Sequence, residues 1–331
     1  MDKIRLGVVG PGRIWKRAHK PALDLLEDRI EIAAFCASSE ASRREVAQTY
    51  PDVPFYFDYH DLVTSPEIDW VLVLTPISLN APVALAAMKA GKNVFLEKPM
   101  ARSLTEGKRL MRTADETGRH LYVLEQAVYP DYLETVEEVI HSGEIGEIIM
   151  YDLVSHRIFD TTAEDEGHGS TLWRVHADFP LGTLFDGGHH PMARLSRLFG
   201  RPASIYASGR QVRPTHGEFD HVLMLFEYDS GVRGSFSHGA VLNRHRNHFY
   251  IRGTQGILSI ERERLVIDYN DDSQRVIERP PERAHEAMWR ALVDAVAEGH
   301  EPYYTKERAF QELSILLAIQ RSIREHGRVR V

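Results

Sequence analysis

The first apolar run of the chain closes in Gly7-Val8-Val9-Gly10-Pro11-Gly12-Arg13-Ile14-Trp15. In a dinucleotide-binding turn the first glycine permits a tight reversal. The second lets the backbone approach a pyrophosphate at a helix N-terminus. Gly10, Gly12, Arg13 and Ile14 are the candidates for that contact. Trp15 stands at the third glycine position, which normally allows close packing of helix on strand, and a lone G-x-G also occurs in unrelated turns. Further on, Cys36-Ala37-Ser38-Ser39-Glu40 carries no Asp or Glu where an acid would receive the adenosine ribose of NAD. Ser38, Ser39 and Arg43, with Arg44 beside it, suit a 2′-phosphate, which favours NADP(H) and leaves NAD(H) open. Glu40 could still reach the ribose, and the two arginines could equally be a solvated helix face.

Two more clusters offer chemistry. Thr75-Pro76 with Asn80, and Glu97-Lys98-Pro99 with Gln126 further on, follow apolar runs at what would be the carboxyl edge of an α/β sheet, where such sheets bind ligands. A lysine there can donate a hydrogen bond to a hydroxyl or carbonyl oxygen, although by type alone Lys98 could be a surface residue paired with Glu97. In Leu184-Phe185-Asp186-Gly187-Gly188-His189-His190-Pro191, Asp186 and His190 stand four residues apart across a glycine-rich helix entry. An aspartate so placed can orient and charge-stabilise an imidazole for acid–base work, while two adjacent histidines can also serve as a cap and a solvated ring. Tyr129, Arg157, Trp173, Arg174 and His189 are candidate substrate contacts, each equally suited to packing or surface. His156, His168, His176, His238, His245 and His248 could supply imidazoles, but no compact H-x-x-x-H spacing falls on one helix, so no metal is expected.

The elements that must position these groups change character along the chain. Up to about residue 125, short Val/Ile/Leu runs (Ile4–Val9, Ile30–Cys36, Trp70–Leu74, Val94–Leu96, Leu121–Leu124) alternate with helical segments. Such runs suit parallel strands covered on both faces. The segment Leu104–Thr117 opens with Ser103 and Glu106 as a capping box and stops at Gly118. Beyond the helix Tyr132–His141, strands joined by short turns predict a largely antiparallel sheet, and two helices close the chain, near 286–298 and 308–326. The expected fold is α/β: a dinucleotide-binding domain over 1–125, then an α+β domain over 126–331 that binds substrate and carries the oligomer contact.

Composition narrows the class. The 331 residues suit about two domains at roughly 150 residues each. With 40 basic against 48 acidic side chains the net charge is −8, which argues against nucleic acid as a partner. No run is long enough to cross a membrane and no signal-like segment opens the chain. One cysteine, Cys36, excludes an internal disulfide and fits a reducing, cytoplasmic setting.

In order and spacing these motifs resemble the glucose–fructose oxidoreductase / inositol dehydrogenase (Gfo/Idh/MocA) family. The resemblance runs through Asp69-Trp-Val-Leu-Val-Leu-Thr-Pro, Ala90-Gly91-Lys92-Asn93-Val94, Glu97-Lys98-Pro99, Ser142-Gly143-Glu144-Ile145-Gly146-Glu147-Ile148, Asp186-x-Gly188-x-His190 and Gly253-Thr254-Gln255-Gly256. It implies a Rossmann domain in strand order 3-2-1-4-5-6, a nicotinamide cofactor, and a second domain whose open sheet makes homodimers or homotetramers. It places the catalytic roles on Lys98, Asp186 and His190. The implied reaction is hydride transfer between nicotinamide and a hydroxyl or carbonyl of a sugar, cyclitol or related polyol. Two other readings stay open: a redox-assisted NAD-dependent glycosidase, and a non-catalytic dinucleotide or sugar sensor. Three departures stand out. Trp15 would press on the nicotinamide side, Ala193 replaces a frequent acid, and Glu125-Gln126-Ala127-Val128-Tyr129-Pro130 replaces a segment usually containing Asn or Arg.

Overall fold

Runs of Val, Ile and Leu without polar alternation have no face to give to water, so they must lie between two layers. The structure, a computed structural model, describes residues 3–158, 170–280 and 283–331, and the side chains of 158 and 242–246 fall outside that description. The chain forms two compact units, Met1–Tyr129 with Arg283–Leu313, and Pro130–Glu282 with Ser314–Val331.

The first unit is built on six strands: β1 (Ile4–Val9), β2 (Ile30–Cys36), β3 (Phe55–Tyr56), β4 (Trp70–Val73), β5 (Asn93–Glu97) and β6 (Leu121–Leu124). They lie in the order β3-β2-β1-β4-β5-β6, every neighbouring pair parallel. This is the doubly wound order that the family resemblance implies. Only β3 was not legible, since two residues are too few to show a period. Between the strands run α1 (Lys20–Leu23), α2 (Glu40–Thr49), α3 (Tyr59–Thr64), α4 (Ile77–Lys89) and α5 (Leu104–Thr117). The α5 capping box forms in part: the Glu106 N–H donates to Ser103 Oγ at 3.2 Å, the Glu106 carboxylate accepts from the Arg102 N–H at 2.9 Å in place of that of Ser103, and Gly118 ends the helix at φ 61°.

A π-helical turn, Trp15–His19, leads into α1. Trp15 is 3% exposed and meets Phe35 edge-on at 5.6 Å, within the core of this unit. The expectation that Trp15 presses on the cofactor side is therefore corrected. A bulky indole occupies the third glycine position by turning inward, and the wide turn accompanies it.

The sequence predicts one division of the chain, at residue 125, but the first unit also includes 283–313. The reason is the apolar stripe of the helix Ala284–Glu298. Met288, Trp289, Leu292 and Val293 are all at most 2% exposed and join the core formed by Leu6, Phe35, Trp70, Leu72 and Phe95. A stripe read from sequence shows that a helix is buried, not which sheet receives it.

The second unit has nine strands: β7 (Ile148–Ile158), β8 (Ser204–Arg210), β9 (His221–Glu227), β10 (Arg233–Gly239), β11 (Val241–Gly253), β12 (Gly256–Ile260), β13 (Arg264–Tyr269), β14 (Gln274–Glu278) and β15 (Val329–Arg330). Their order is β14-β13-β12-β11-β7-β10-β9-β8-β15, and of the paired strands β7 and β10 run parallel while the others are antiparallel. The helices of this unit include α6 (Tyr132–Ser142), α7 (Leu172–Val175), α8 (Thr183–Gly187) and α9 (His189–Phe199). One sheet face is core: Tyr151 stacks on Phe199 of α9 at 4.7 Å and its hydroxyl pairs with that of Tyr228 at 3.0 Å. The alternate positions lie open, with Tyr206, Leu223 and Leu225 about half exposed.

Candidate active site

Each unit holds one part of the expected chemistry. In the first, β1 ends in the glycine turn. Gly10 has φ 84°, and a Cβ there would stand 2.8 Å from the Leu74 carbonyl oxygen, so only glycine suits the turn. At Gly12 a Cβ would meet nothing closer than the Gly10 oxygen at 3.9 Å. The backbone is thus open at the start of the following helix, whose first amides have no intrahelical acceptor. That arrangement fits a pyrophosphate held by the turn and by Arg13 and Ile14 behind it.

At the tip of β2, Ser39 caps α2 by accepting from the Ser42 N–H at 3.1 Å, and Ser38 is exposed. Arg43 is ion-paired with Glu40 at 2.7 Å, so that acid is already engaged with a guanidinium. Cys36 is buried, and burial first, then the charges of Asp58 and Asp61, push its thiol up to about 11. It is no nucleophile at neutral pH.

Lys98 follows β5 at the carboxyl edge of the same sheet. Asn80, 1% exposed on α4, donates from its amide to Glu97 O at 2.9 Å and to Pro99 O at 3.1 Å. Its own oxygen accepts from the Thr75 hydroxyl at 3.0 Å. The expectation of cofactor contact at Asn80 is therefore redirected. Its side chain brackets the lysine backbone, and Thr75, followed by Pro76 at the entry to α4, orients that bracket. The Glu97 carboxylate accepts from His19 Nε2 at 2.9 Å. Burial would raise the Glu97 carboxyl, but the His19 hydrogen bond and nearby positive charge outweigh it and leave it lowered. Gln126 opens the short turn after β6 and is half-buried. Tyr129 packs against the core of this unit, and burial raises its phenol.

In the second unit α8 and α9 are separated by Gly188 alone. A Cβ on Gly188 would fall 2.6 Å from the Leu184 oxygen, so a glycine is needed for the two helices to meet this closely. The junction puts Asp186 just before it and His189 and His190 just after. His189 is 1% exposed whereas His190 is half-buried, so of the adjacent pair it is His190 that is open to a ligand. Asp186 is 4% exposed and accepts from Arg174 Nε at 2.6 Å. The Arg174 guanidinium lies 4.0 Å over the Trp173 ring. Arg157 joins them electrostatically: burial first and the like charge of Arg174 lower its pKa, while Asp186 raises it. Arg157, Trp173, Arg174 and Asp186 thus form one cluster beside the entry to α9.

His238 is fully buried in this unit, and its Nε2 shares a hydrogen bond with the Thr183 hydroxyl at 3.1 Å. Among the described residues, no three His, Cys, Asp or Glu side chains are grouped to hold a metal. His168 and the side chain of His245 lie outside the described residues. Among those described, no helix is long and apolar enough to cross a membrane. Residue patterns alone gave no sign of His19 or Trp289. The only available signal was a histidine four residues after Trp15, on what turns out to be the buried side.

Fold and site together define a doubly wound nucleotide-binding oxidoreductase with an α+β second unit. Family models support this: residues 4–125 match the Gfo/Idh/MocA oxidoreductase family, NAD-binding Rossmann fold, and residues 133–259 match its C-terminal domain. The chain belongs to the Gfo/Idh/MocA family and is an NAD(P)-dependent oxidoreductase. It is 26% identical over 293 residues to scyllo-inositol 2-dehydrogenase (NADP(+)) IolW of Bacillus subtilis, covering 88% of this chain and 76% of that protein. It is 27% identical over 267 residues to trans-1,2-dihydrobenzene-1,2-diol dehydrogenase of Mus musculus, covering 78% of this chain and 75% of that protein. Its structure is similar to that of an oxidoreductase from Thermotoga maritima, with TM-score 0.91, 25% identity, and coverage of 99% and 98% of the two chains.

Proposed function

We propose that the chain transfers a hydride between NADP(H) and a ring hydroxyl or carbonyl of a sugar, cyclitol or related polyol. The observation that carries this reading is the fixed placement of Lys98 at the carboxyl edge of the six-stranded sheet, both flanking carbonyls held by the buried Asn80 amide. When bound, the nicotinamide takes or supplies the hydride at its C4. Lys98 donates a hydrogen bond to the reacting oxygen and stabilises charge developing there. His190 takes the hydroxyl proton as the carbon is oxidised, or returns it in reduction. Asp186, held by Arg174 at 2.6 Å, positions the hydroxyl and tunes the imidazole. Arg157, Trp173 and Arg174 shape the substrate side, with Tyr129 as a further contact. Glu97 and Gln126 line the nicotinamide end. Two of the relatives are named for a cyclitol and for a cyclic diol, which supports a ring alcohol as substrate.

Ser38, Ser39 and Arg43 read a 2′-phosphate, and a B. subtilis relative is named for NADP(+). The open face with Tyr206, Leu223 and Leu225 is read as the contact of a homodimer or homotetramer. The test is a screen of sugars, cyclitols and their keto forms with NADPH and NADH, followed at the reduced-nicotinamide absorbance. Turnover with a polyol and tighter binding of NADPH are expected. Lys98→Ala and His190→Ala should each lower kcat by about 100-fold or more. Unchanged turnover in both variants, or a preference for NADH, would count against the corresponding part of the reading.

A further inference from the structure

One buried group at the edge of the nucleotide half is left without a role by the reaction above. His19 is 0% exposed and sits at the end of the π-helical turn Trp15–His19. Single π turns recur at functional positions, because the extra residue swings a side chain out of the regular register. Both ring nitrogens of His19 are engaged. Trp289 Nε1 donates to His19 Nδ1 at 3.0 Å, and His19 Nε2 lies 2.9 Å from Glu97 Oε1. An indole N–H can only donate, so Nδ1 must present its lone pair and the ring proton sits on Nε2, aimed at the carboxylate. Trp289 is itself fully buried and closes edge-on against the imidazole at 5.7 Å, so neither ring has room to turn.

The direction of donation is therefore fixed from tryptophan to histidine to glutamate. Glu97 immediately precedes Lys98, and its backbone oxygen is one of the two held by Asn80. Its side chain is 11% exposed, enough to touch a ligand and too little to be solvated freely. Without the Nε2 proton, this carboxylate would be nearly dry and one hydrogen bond short, next to an ammonium in sequence. It would then rotate toward any available cation.

We propose that His19 is a positioning residue, locked by Trp289 as its Nε2–H tautomer, which holds the Glu97 carboxylate in place and so keeps Lys98 directed to the reacting oxygen. The inference rests on the role given to Lys98 above. The energy at stake is one hydrogen bond to a charged group, enough to change turnover by about 10- to 100-fold if lost.

The first arm of the test needs neither cofactor nor substrate. In nitrogen-15 spectra of histidine-labelled protein, with His19 assigned by comparison with His19→Gln, Nε2 should carry the proton and Nδ1 should show the pyridine-type shift. Trp289→Phe, which removes the donor and keeps an aromatic ring, should leave the proton on Nε2, because the Glu97 carboxylate can only accept, and should remove the hydrogen-bond shift at Nδ1. The second arm uses the substrate found in the screen. His19→Leu should lower kcat by about 10- to 100-fold, and the KM for NADPH should stay nearly unchanged. His19→Gln, which restores a donor toward Glu97, should recover most of the loss, and Trp289→Phe should fall between. A proton on Nδ1, or equal losses for Leu and Gln, overturns the proposal. If His19→Leu does not fold, the spectra and Trp289→Phe still decide it. If the wild-type chain turns over nothing, the hydride-transfer reading fails while the tautomer result stands on its own.

Discussion

Asn80 shows how much one side chain can settle at this site. Its amide has two N–H groups and both are committed to backbone oxygens, those of Glu97 and Pro99. Lys98 lies between them, so the bracket sets where the lysine side chain starts. Replacing Asn80 by Asp keeps the shape but turns two donors into acceptors facing two buried carbonyls, at a cost of about 1–3 kcal/mol for each unsatisfied group. Asn80→Asp should lower stability to urea by several kcal/mol in total and should reduce kcat. Unchanged stability would mean that the bracket contributes nothing. The residue type and its place just inside a helix were visible in the sequence. The partners were not, because they belong to a strand end 17 residues away.

At the scale of elements, the last helix carries a buried acid whose charge state follows from its neighbours. Glu312 lies on the helix Lys306–Glu325, is 2% exposed, and accepts from the Tyr304 hydroxyl at 2.6 Å. Glu125, fully buried, caps the turn Gln126–Val128 by accepting from the Ala127 N–H at 2.9 Å. Burial first and the charge of Glu125 next push the Glu312 carboxyl well above the usual range, against the Tyr304 hydrogen bond and the charge of Arg308. The folded chain then keeps a proton that the unfolded chain has already lost above about pH 4.5. This contribution is fully present below the unfolded pKa and is lost as pH rises through the folded one. Glu312→Gln is neutral throughout. The stability of wild type relative to Glu312→Gln should therefore fall as pH rises above the ordinary carboxylate range. Urea titrations at several pH values read this difference, and a flat difference would be the contrary result.

For the whole molecule, the consequence of the fold lies in how the chain is shared between its units. The nucleotide half needs residues 283–313 to complete its core. Met288, Trp289, Leu292 and Val293 of the helix Ala284–Glu298 are each at most 2% exposed there. At about 1.5–3 kcal/mol for each buried apolar side chain, their loss removes roughly 6–12 kcal/mol, as much as the whole stability of an ordinary domain. A fragment of residues 1–129 should therefore bind hydrophobic dye and unfold without cooperativity. The same fragment joined to 283–313 by a flexible linker should melt in a single transition. A cooperative melt of 1–129 alone would show that the returning helix is dispensable.

The sequence by itself determined the parallel sheet, the glycine turn, the lysine after the fifth strand and the aspartate–histidine spacing across Gly188. Each is local: a run, a cap or a spacing that a few adjacent residues impose on the backbone. It also set the order of motifs by which the family is known. Tertiary structure decided what depends on distant partners. It turned Trp15 inward, buried His189 while leaving His190 accessible, tied Asp186 to Arg174, and brought the helix Ala284–Glu298 back to the first sheet. The pair Trp289 and His19, 270 residues apart, is the clearest case. An indole donor and an imidazole acceptor have no sequence pattern linking them. Only burial in one core fixes which nitrogen holds the proton.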